Sequence, residues 1–404
     1  MLGPSSNATG PLHGVRVLDI SRILSGPFCT MLLADLGAEV VKVEQPMTGD
    51  PARHLGPQVG GDAAYFMSVN RGKKSITLNI FSEEGQRLLC ALVPHFDVLV
   101  ENYVPGMMAR LGLGYDRVKE LNPRLVYASI SGFGQDGTYA HRPALDIIVQ
   151  AMGGMMSVTG EQGGPPLRPG ASLGDSVAGM FVGMAIVSAL FDRERSSHGQ
   201  HIDISMLDCQ VTMMENAFSR YFATGEVPGP LGSRHPAAAP FQAFRASDGY
   251  FVVAMLTDRE DTWLRFCNAV GVPELGKDHR FLDNLSRMNN YDVLNAILQK
   301  TFLEKPVAFW LEALSGANLS CGPVNDIAAV ASDPQVLHRG MVATIPHKRL
   351  GTWRVANTPF RLSHGASGPA GPSPDLGEHT EEVLGGLLRM SEDEISRLRK
   401  AGVL

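Results

Sequence analysis

The sequence predicts an α/β protein with a large domain built on a doubly wound parallel sheet and a smaller α+β domain. Three observations support this prediction. Short apolar segments alternate with helical ones in the first half, a stretch rich in Pro, Gly and Ala interrupts the periodicity near the middle, and 404 residues exceed what one compact core usually contains. We therefore expect two domains.

The first half of the chain opens with a β-α-β unit. Residues 15–19 (VRVLD) predict a buried strand, residues 27–36 a helix that ends at Gly37, and residues 38–44 (AEVVKVE) a second strand. The further predicted elements are a helix over 82–92, a strand over 97–101, a helix over 115–121, a strand over 124–131, a helix from Gly174 to about Arg195, a strand over 200–205 and a helix over 206–224. Because parallel strands joined by helices bind ligands at their carboxyl ends, we expect a Rossmann-like sheet with a site at that edge.

The second half begins at residues 225–240 (GEVPGPLGSRHPAAAP), which break both helical and strand periodicity and mark a domain boundary. Beyond them, residues 242–245 and 250–255 flank an Asp-Gly turn, which predicts a hairpin. Several helices follow, as in a small α+β domain. The predicted domains are a large one over residues 1–224, a small one over 225–330 and a C-terminal return to the large domain over 331–404.

The C-terminal segment is long enough to pack back onto the first domain. It contains strand-like residues at 342–346 and 352–355 and a final helix that begins at Ser391. The sequence therefore predicts that the large domain is built from both ends of the chain.

The composition excludes several classes of partner. A formal net charge of -6 lacks the basic excess that binding to nucleic acid requires. The five cysteines are far apart in apolar contexts, which predicts reduced thiols in a cytoplasmic protein. No signal-peptide pattern opens the chain, and its most apolar stretch, residues 180–190, has about half the length of a membrane span. We expect no nucleic-acid or membrane partner.

Most local catalytic motifs are absent from the sequence. There is no P-loop, no H-E-x-x-H, no paired C-x-x-C and no G-x-S-x-G, so we predict no metal site. Residues 132–137 (GFGQDG) match G-x-G-x-x-G after a predicted strand. The helix that should begin at the third glycine is interrupted by residues 138–143 (TYAHRP), which favours a glycine-rich turn over a dinucleotide site.

The most informative segment contains a carboxylate at a helix start. Asp175 follows Gly174, and small residues at Ala178, Gly179 and Gly183 let other backbone or a ligand come close. One interpretation is an ordinary N-cap aspartate. The other is a nucleophile that the helix dipole keeps ionised, beside backbone N–H groups that stabilise an oxyanion. The residues alone leave both interpretations open.

Taken together, the motifs resemble those of class III CoA-transferases, the family of formyl-CoA transferase and, as a sister activity, α-methylacyl-CoA racemase. The resemblance covers nearly the whole chain. It rests on residues 14–19 (GVRVLD), 25–27 (SGP), 33–44 (LADLGAEVVKVE), 70–75 (NRGKKS), 100–106 (VENYVPG), 122–125 (NPRL), 131–134 (SGFG), 173–175 (LGD), 199–200 (GQ) and 376–379 (LGEH).

The resemblance implies site residues and an assembly. The family's catalytic aspartate falls on Asp175, and its CoA-binding positions fall on Ile23, Leu24, Leu78, Asn79, Asn102, Arg110 and Leu111. The phosphates of CoA need cations, which Arg71, Lys73, Lys74 and Arg110 would supply. CoA and acyl-CoA would be substrates, with no prosthetic group. The family also implies an interlocked homodimer with each active site between the large domain of one subunit and the small domain of the other.

Departures from the family pattern restrict the substrate. The glutamine of formyl-CoA transferase's first turn is Leu24 here, and the arginine after its second strand is Gln45, so formate and oxalate are disfavoured. We predict a dicarboxylic acid acceptor and succinyl-CoA as donor. The candidate substrate-binding residues, mostly cations able to clamp a second carboxylate, are Arg53, Tyr139, Arg168, Arg234 and His235.

Two alternatives remain at this point. One is an acyl-CoA racemase or epimerase, but the racemase histidine falls at Leu145, which cannot move a proton. The other is a supporting subunit that binds CoA and forms a heteromer with a paralogous active partner.

Overall fold

The computed structural model describes residues 10–256 and 261–404. The chain separates into two compact units. The first combines the residues up to Met156 with Arg168–Glu226 and Gln335–Leu404, and the second combines Ser157–Leu167 with Val227–Pro334. Residues 157–167 therefore belong to the second unit, whereas the sequence predicted them in the large domain.

The first unit is built on a six-stranded sheet in which all neighbouring strands are parallel. The strands before the second unit are β1 (Arg16–Asp19), β2 (Glu39–Glu44), the short ribbon β3 (Gln58–Val59) and β4 (Asp62–Ala63), β5 (Lys74–Thr77), β6 (Val98–Glu101), β7 (Val126–Ser131) and β8 (His201–Ser205). The order in the sheet is β5-β2-β1-β6-β7-β8. The predicted parallel α/β sheet is confirmed. Its strand order reverses between β1 and β6, where ligands bind in open sheets of this kind.

Helices cover both faces of the sheet. They are α1 (Ser25–Asp35), α2 (Ala64–Val69), α3 (Glu83–Leu92), α4 (Met107–Arg110), α5 (Tyr115–Leu121), α6 (Asp146–Met152), α7 (Leu173–Ser196), α8 (Met206–Met213) and α9 (Glu215–Thr224). Because side chains alternate along a strand, the neighbours Val17 and Leu18 enter separate hydrophobic clusters. The cluster around Val17 includes residues of α1 and α7, and the cluster around Leu18 includes residues of α3.

Helix α7 carries the candidate catalytic residue and packs tightly on α1. A Cβ atom at Gly179 would lie 2.8 Å from the Ser25 carbonyl oxygen and 3.0 Å from Phe28 Cδ1, so only glycine permits this contact. Helix α7 is long and apolar enough to cross a membrane by length and composition, but half of its most apolar stretch is buried inside the protein, as in a core helix. Its N-terminal turns therefore lie beside the start of α1, at the carboxyl edge of the sheet.

The second unit contains a three-stranded antiparallel sheet and its own core. Its strands and helices are β9 (Phe241–Arg245), β10 (Tyr250–Ala254), α10 (Thr262–Ala269), α11 (Asn284–Asn289), α12 (Tyr291–Phe302), α13 (Val307–Gly316), β11 (Cys321–Pro323) and α14 (Ile327–Ser332). Strands β9 and β10 pair antiparallel, which confirms the predicted hairpin. Phe251, Phe302 and Trp310 are buried, and the Phe302 ring contacts the other two edge to face in this core.

The C-terminal segment returns to the first unit. Its elements are α15 (Pro334–His338), β12 (Val342–His347), β13 (Gly351–Ala356), α16 (Thr380–Leu388) and α17 (Glu392–Lys400). The strands β12 and β13 and the final helix confirm the predicted elements, and Ser391 and Glu394 form a capping box at the start of α17. The backbone N–H of His379 donates to the Ser75 carbonyl oxygen at 2.8 Å, which fixes this segment to β5.

Candidate active site

Asp175 lies in the first turn of α7 and is partly buried. The helix is preceded by Ser172 at the N-cap position, so the interpretation of Asp175 as an N-cap is wrong. Within the described part of the chain, no hydrogen bond reaches the Asp175 carboxylate. A carboxylate held at a helix N-terminus without a donor of its own retains its lone pairs for a reaction.

A second carboxylate, Asp146 at the start of α6, supports this turn. It accepts the backbone N–H of Gly174 at 2.8 Å, Nε2 of Gln150 at 2.8 Å and Nη2 of Arg168 at 2.7 Å. A Cβ atom at Gly174 would lie 2.7 Å from Val149 Cγ2 and 3.0 Å from Asp146 Oδ1, so glycine is required before Asp175. Asp146 therefore fixes the peptide that precedes the candidate nucleophile.

The electrostatic surroundings change the acidity of Asp175. Burial, together with the negative charge of Asp146, raises the pKa of Asp175 to about 6, and Arg168 acts in the opposite direction. Burial and the charge of Asp175 raise the pKa of Tyr65 on α2 to about 12. Asp175 is thus ionised at neutral pH but is more basic than an exposed aspartate.

Neither Asp146 nor Tyr65 was predicted from the sequence to be part of the site. Asp146 immediately follows Leu145, which was considered only as the racemase histidine position and is an exposed side chain here. Tyr65 belongs to no recognisable motif. Their contribution depends on contacts with residues far away in the sequence, so spacing alone gave no signal for either.

The turn after β1 lies at the point where the order of the sheet reverses. The Arg22 N–H donates to Asn102 Oδ1 at 2.8 Å, and Asn102 Nδ2 donates back to the Arg22 carbonyl oxygen at 2.7 Å. Ile23 adopts a left-handed φ of 67°, and its N–H donates to Asp50 Oδ1 at 3.0 Å. The predicted CoA-binding residues Ile23, Leu24 and Asn102 are therefore neighbours, and Asn102 ties the end of β6 to the turn after β1.

Buried ion pairs lie beneath this turn. Lys42 Nζ lies 2.8 Å from Asp50 Oδ2, and Lys73 Nζ lies 3.0 Å from Asp19 Oδ2. Lys42 Nζ also donates to the Ser21 carbonyl oxygen at 2.8 Å. Burial alone would raise the pKa of Asp19, but Lys73 and Lys42 hold it well below its usual range. These charges hold the turn in place.

Three of the predicted phosphate-binding cations are also paired with carboxylates in this structure. Lys73 is buried against Asp19, Arg71 is buried and binds Asp35 at 2.6 Å, and Lys74 lies 2.6 Å from Glu39 and 2.8 Å from Glu382. The pairs of Lys73 and Arg71 are buried, whereas the pairs of Lys74 are half-exposed, and in each the charge of the cation is already matched by a carboxylate. These pairs connect the loop before β5, and the first residue of β5, to α1, β1, β2 and α16.

A cavity of about 180 Å³ opens beside the turn after β1. Arg22, Gln45, Leu78, Phe81 and Tyr103 are among the residues that line it. The guanidinium of Arg22 lies 4.3 Å from the centre of the Tyr103 ring. Two carboxylates, Glu44 and Asp50, also line the cavity, and they are paired with Arg53 and Lys42. The cavity therefore combines apolar and aromatic walls with one exposed arginine and two neutralised carboxylates, and such walls suit a nucleotide-containing ligand.

The remaining predicted CoA-binding residues have different positions. The Asn79 side chain accepts the Phe81 N–H at 3.1 Å and so shapes the wall of this cavity. Arg110 is exposed at the end of α4, and no carboxylate in the described residues forms an ion pair with it. Leu111 packs against the core cluster of Leu18. Of the four predicted phosphate-binding cations, Arg110 is thus the one whose charge the described carboxylates leave unpaired.

The predicted substrate-binding residues are not all available to a ligand. Arg53 forms two hydrogen bonds of 2.7 Å with Glu44 and lies over the Phe66 ring, and Arg168 is bound to Asp146. These two arginines therefore bind neighbouring carboxylates in this structure, and their role in binding the substrate stays a prediction.

The other three predicted substrate-binding residues make aromatic contacts. Tyr139 is exposed beside Phe133 in the first unit. Arg234 lies over the Tyr291 ring and His235 stacks on Phe241, both in the second unit.

No group of three or more His, Cys, Asp or Glu side chains able to hold a metal ion occurs within residues 10–256 and 261–404.

Comparison with known proteins identifies relatives of this chain. A relative named acetyl-CoA:oxalate CoA-transferase from Acetobacter aceti is 45% identical over 334 residues, which cover 82% of this chain and 85% of the relative. A succinyl-CoA:glutarate CoA-transferase from Mus musculus is 39% identical over 395 residues, which cover 98% of this chain and 90% of the relative. A crystal structure of a CAIB/BAIF family protein from Brucella suis superposes with a TM-score of 0.85 at 38% identity, covering 94% of this chain and 100% of that one.

The family assignment follows from these similarities and from one further match. The sequence pattern of CoA-transferase family III matches residues 12–380, which include β1, the turn after it, Asp146 and Asp175. The resemblance stated from the sequence motifs is therefore confirmed. The chain belongs to CoA-transferase family III and is an enzyme of that class.

Proposed function

We propose that this enzyme transfers CoA from succinyl-CoA to a dicarboxylic acid and that Asp175 is its covalent relay. The observation that carries this proposal is the Asp175 carboxylate itself, which lies in the first turn of α7 without a hydrogen-bond donor among the described residues and with a pKa raised to about 6. Such a carboxylate is ionised at neutral pH and more nucleophilic than an exposed aspartate.

The chemistry divides one difficult exchange into four acyl transfers. The Asp175 carboxylate attacks the thioester carbonyl and expels the CoA thiolate, which gives a mixed anhydride. The thiolate then attacks the aspartyl carbonyl, releases the donor acid and forms an aspartyl-CoA thioester. The acceptor carboxylate attacks this thioester and expels the thiolate again. Attack of the thiolate on the acceptor carbonyl finally gives the new acyl-CoA and regenerates Asp175.

The geometry of the first unit supports a path for CoA. The adenosine end would occupy the cavity lined by Phe81 and Tyr103, and the pantetheine arm would pass the turn at Ile23 and Leu24 toward α7. Because α1 begins directly after this turn and packs against Gly179, one helical turn beyond Asp175, the arm would reach the carboxylate at the carboxyl edge of the sheet.

The names of two relatives support the substrate class, whereas the 45% identical relative is named for acetyl-CoA and oxalate. Besides the mouse protein, a protein named succinyl-CoA:mesaconate CoA-transferase from Haloarcula marismortui is 37% identical over 385 residues, which cover 93% of this chain. Both names give succinyl-CoA as the donor and a dicarboxylic acid as the acceptor. We therefore expect the same classes for this enzyme.

The proposed assembly is a cytoplasmic, interlocked homodimer. The exposed face of α7 supports a contact with a second copy, because Met180, Met184, Val187 and Phe191 form an apolar stripe along it. Phe191 is 69% exposed, which is unusual for a large apolar side chain without a partner. Light scattering after size-exclusion chromatography would report twice the mass of the chain, and a monomer would contradict the proposal.

Trapping the covalent intermediate would test the proposed relay directly. The purified enzyme is incubated with succinyl-CoA and then treated with hydroxylamine or borohydride, and peptide mass spectrometry locates the modified residue. Modification at Asp175 that depends on succinyl-CoA is the expected result. Modification elsewhere, or transfer to glutarate without any modification of Asp175, would refute the covalent role.

A further inference from the structure

Arg71 and Lys73 pair with buried carboxylates, and Lys74 pairs with the half-exposed Glu39, so the phosphates of CoA lack free charge at most of their expected partners. CoA carries a diphosphate and a 3′-phosphate, while this protein has a net charge of -6. Binding such an anion requires a local cation that is not already neutralised.

Arg22 meets this requirement in the turn after β1. Its side chain is exposed and lines the cavity beside Leu78, Phe81 and Tyr103. No carboxylate forms an ion pair with Arg22 anywhere in the described residues. Its charge is therefore available to a ligand in the cavity, in contrast to Arg53, which binds Glu44 nearby.

The position of Arg22 is fixed from two sides. Its backbone N–H and carbonyl group both bond to the Asn102 side chain, at 2.8 and 2.7 Å. Its guanidinium lies over the Tyr103 ring at 4.3 Å. Cation–π contact and a clamped backbone reduce the freedom that an exposed arginine loses on binding. An ordinary surface arginine has neither constraint.

We infer that Arg22 binds a phosphate group of CoA at this cavity. The inference rests on the proposed function, because it concerns the same site and the same substrate. The planar guanidinium can form two parallel hydrogen bonds to a phosphate while its face stays on Tyr103, and a lysine ammonium cannot reproduce that geometry. The bound group is either the diphosphate or the 3′-phosphate, which the experiment separates.

The experiment measures CoA binding and turnover for the wild type, Arg22→Ala and Arg22→Lys. Calorimetric titration with CoA needs no turnover, and steady-state kinetics use succinyl-CoA, its 3′-dephospho analogue and succinyl-pantetheine. Arg22→Ala should weaken CoA binding by about 10- to 100-fold with kcat within about twofold of wild type. The CoA affinity of Arg22→Lys should lie between those of the wild type and Arg22→Ala. For succinyl-pantetheine, which lacks the phosphates, kcat/KM should be the same in all three proteins.

Arg399→Ala is the matched control, because Arg399 is an exposed arginine that pairs with Glu381 at 3.1 Å on the surface. It should bind CoA like the wild type. If the defect of Arg22→Ala disappears with the dephospho analogue, Arg22 binds the 3′-phosphate; if it persists, Arg22 binds the diphosphate. Unchanged CoA affinity in a folded Arg22→Ala variant, an equal defect with succinyl-pantetheine, or a wild type that binds no CoA would overturn the inference.

The two proposals fail in distinguishable ways. A wild type that transfers nothing from succinyl-CoA but loses CoA affinity on Arg22→Ala would refute the proposed donor and leave the role of Arg22 intact. Transfer from succinyl-CoA that is indifferent to Arg22 would refute the role of Arg22 and leave the proposed donor intact.

Discussion

Two groups of buried carboxylates at the carboxyl edge of the sheet differ in how their charge is neutralised. Beneath the turn after β1, Asp19 receives Lys73 Nζ at 3.0 Å and the Thr30 hydroxyl at 2.6 Å, and its pKa lies well below the usual range. At the start of α7, Asp175 receives no hydrogen bond in the described structure and lies near Asp146, and its pKa is raised to about 6.

This difference distinguishes a carboxylate that maintains the structure from one that can react. A carboxylate with a matched cation and several donors is stabilised as an anion, and it is a poor nucleophile because its lone pairs are occupied. A carboxylate beside another carboxylate is destabilised as an anion, and acylation removes the unfavourable charge. The comparison therefore predicts that Asp19 maintains the structure and that Asp175 performs the chemistry.

The largest expected effect is the loss of transfer in Asp175→Asn. An amide cannot form the aspartyl anhydride, so kcat should fall by at least about 10³-fold. The affinity for CoA should stay within about twofold, because the proposed CoA contacts lie on the β1 and β6 turns. Steady-state transfer assays and CoA titration measure the two quantities.

Asp192→Asn is a control on the same helix. The Asp192 side chain is half-exposed and pairs with Arg195 at 3.3 Å, so this variant should retain full activity. Appreciable transfer by Asp175→Asn would show that the unpaired carboxylate is not the reactive one, and the contrast between the two groups would lose its functional meaning.

The second effect is on the stability of the folded protein and concerns Asp19, the carboxylate that is paired with a buried cation. Asp19→Asn leaves Lys73 buried without its carboxylate, so the free energy of unfolding should decrease by about 3 to 5 kcal/mol. Chemical denaturation at pH 7 measures it. Glu39→Gln on the neighbouring strand removes a half-exposed pair with Lys74 and should change the same quantity by less than about 1 kcal/mol. Equal effects of the two substitutions would contradict the assignment of Asp19 to a structural role.

The sequence was sufficient for most of the sheet and insufficient for one strand. The mostly apolar runs at residues 15–19 and 97–101 are typical of strands buried on both faces, so they predict parallel strands. Strand β5, Lys74–Thr77, has the sequence KSIT and was not predicted. It pairs with β2 and is covered by the C-terminal segment, and neither neighbour is visible in a local window.

Only the site residues that lie in family motifs could be predicted from the sequence. Asp175 and Asn102 were identified from the family resemblance. The partner of a charged residue was not, because Lys73 and Asp19 are 54 residues apart, and Asp146 and Gly174 are 28 apart. A lysine in a sequence looks the same whether it ends at a phosphate or at a buried carboxylate, and only the tertiary structure distinguishes the two.

The third prediction also concerns the free energy of unfolding, but here the substitution should increase it. The folded-state pKa of Asp175, about 6, lies above its ordinary value of 3.8, so the ionised carboxylate destabilises the folded protein above pH 6. Asp175→Asn should therefore be more stable than the wild type by about 1 to 2 kcal/mol at pH 8. The difference should decrease as the pH falls through 6 and vanish below about pH 4, where the wild-type carboxyl is protonated in both states. Denaturation at several pH values measures this difference in the free energy of unfolding. A variant that is less stable than the wild type at pH 8 would show that Asp175, like Asp19, is stabilised as an anion.

The smallest effect tests whether Asp146 and Arg168 set the acidity of the nucleophile. In Asp146→Asn the amide oxygen can still accept the Gly174 N–H, but the negative charge is removed, so the pKa of Asp175 should fall. The acid limb of kcat/KM should then move to lower pH by about one unit. Arg168→Gln removes the opposing charge and should move the same limb to higher pH. A merely structural defect would lower the rate of both variants without moving their acid limbs in opposite directions. Shifts of opposite sign would therefore show that Asp146 and Arg168 set the pKa of Asp175. Acid limbs that coincide with that of the wild type would exclude this role.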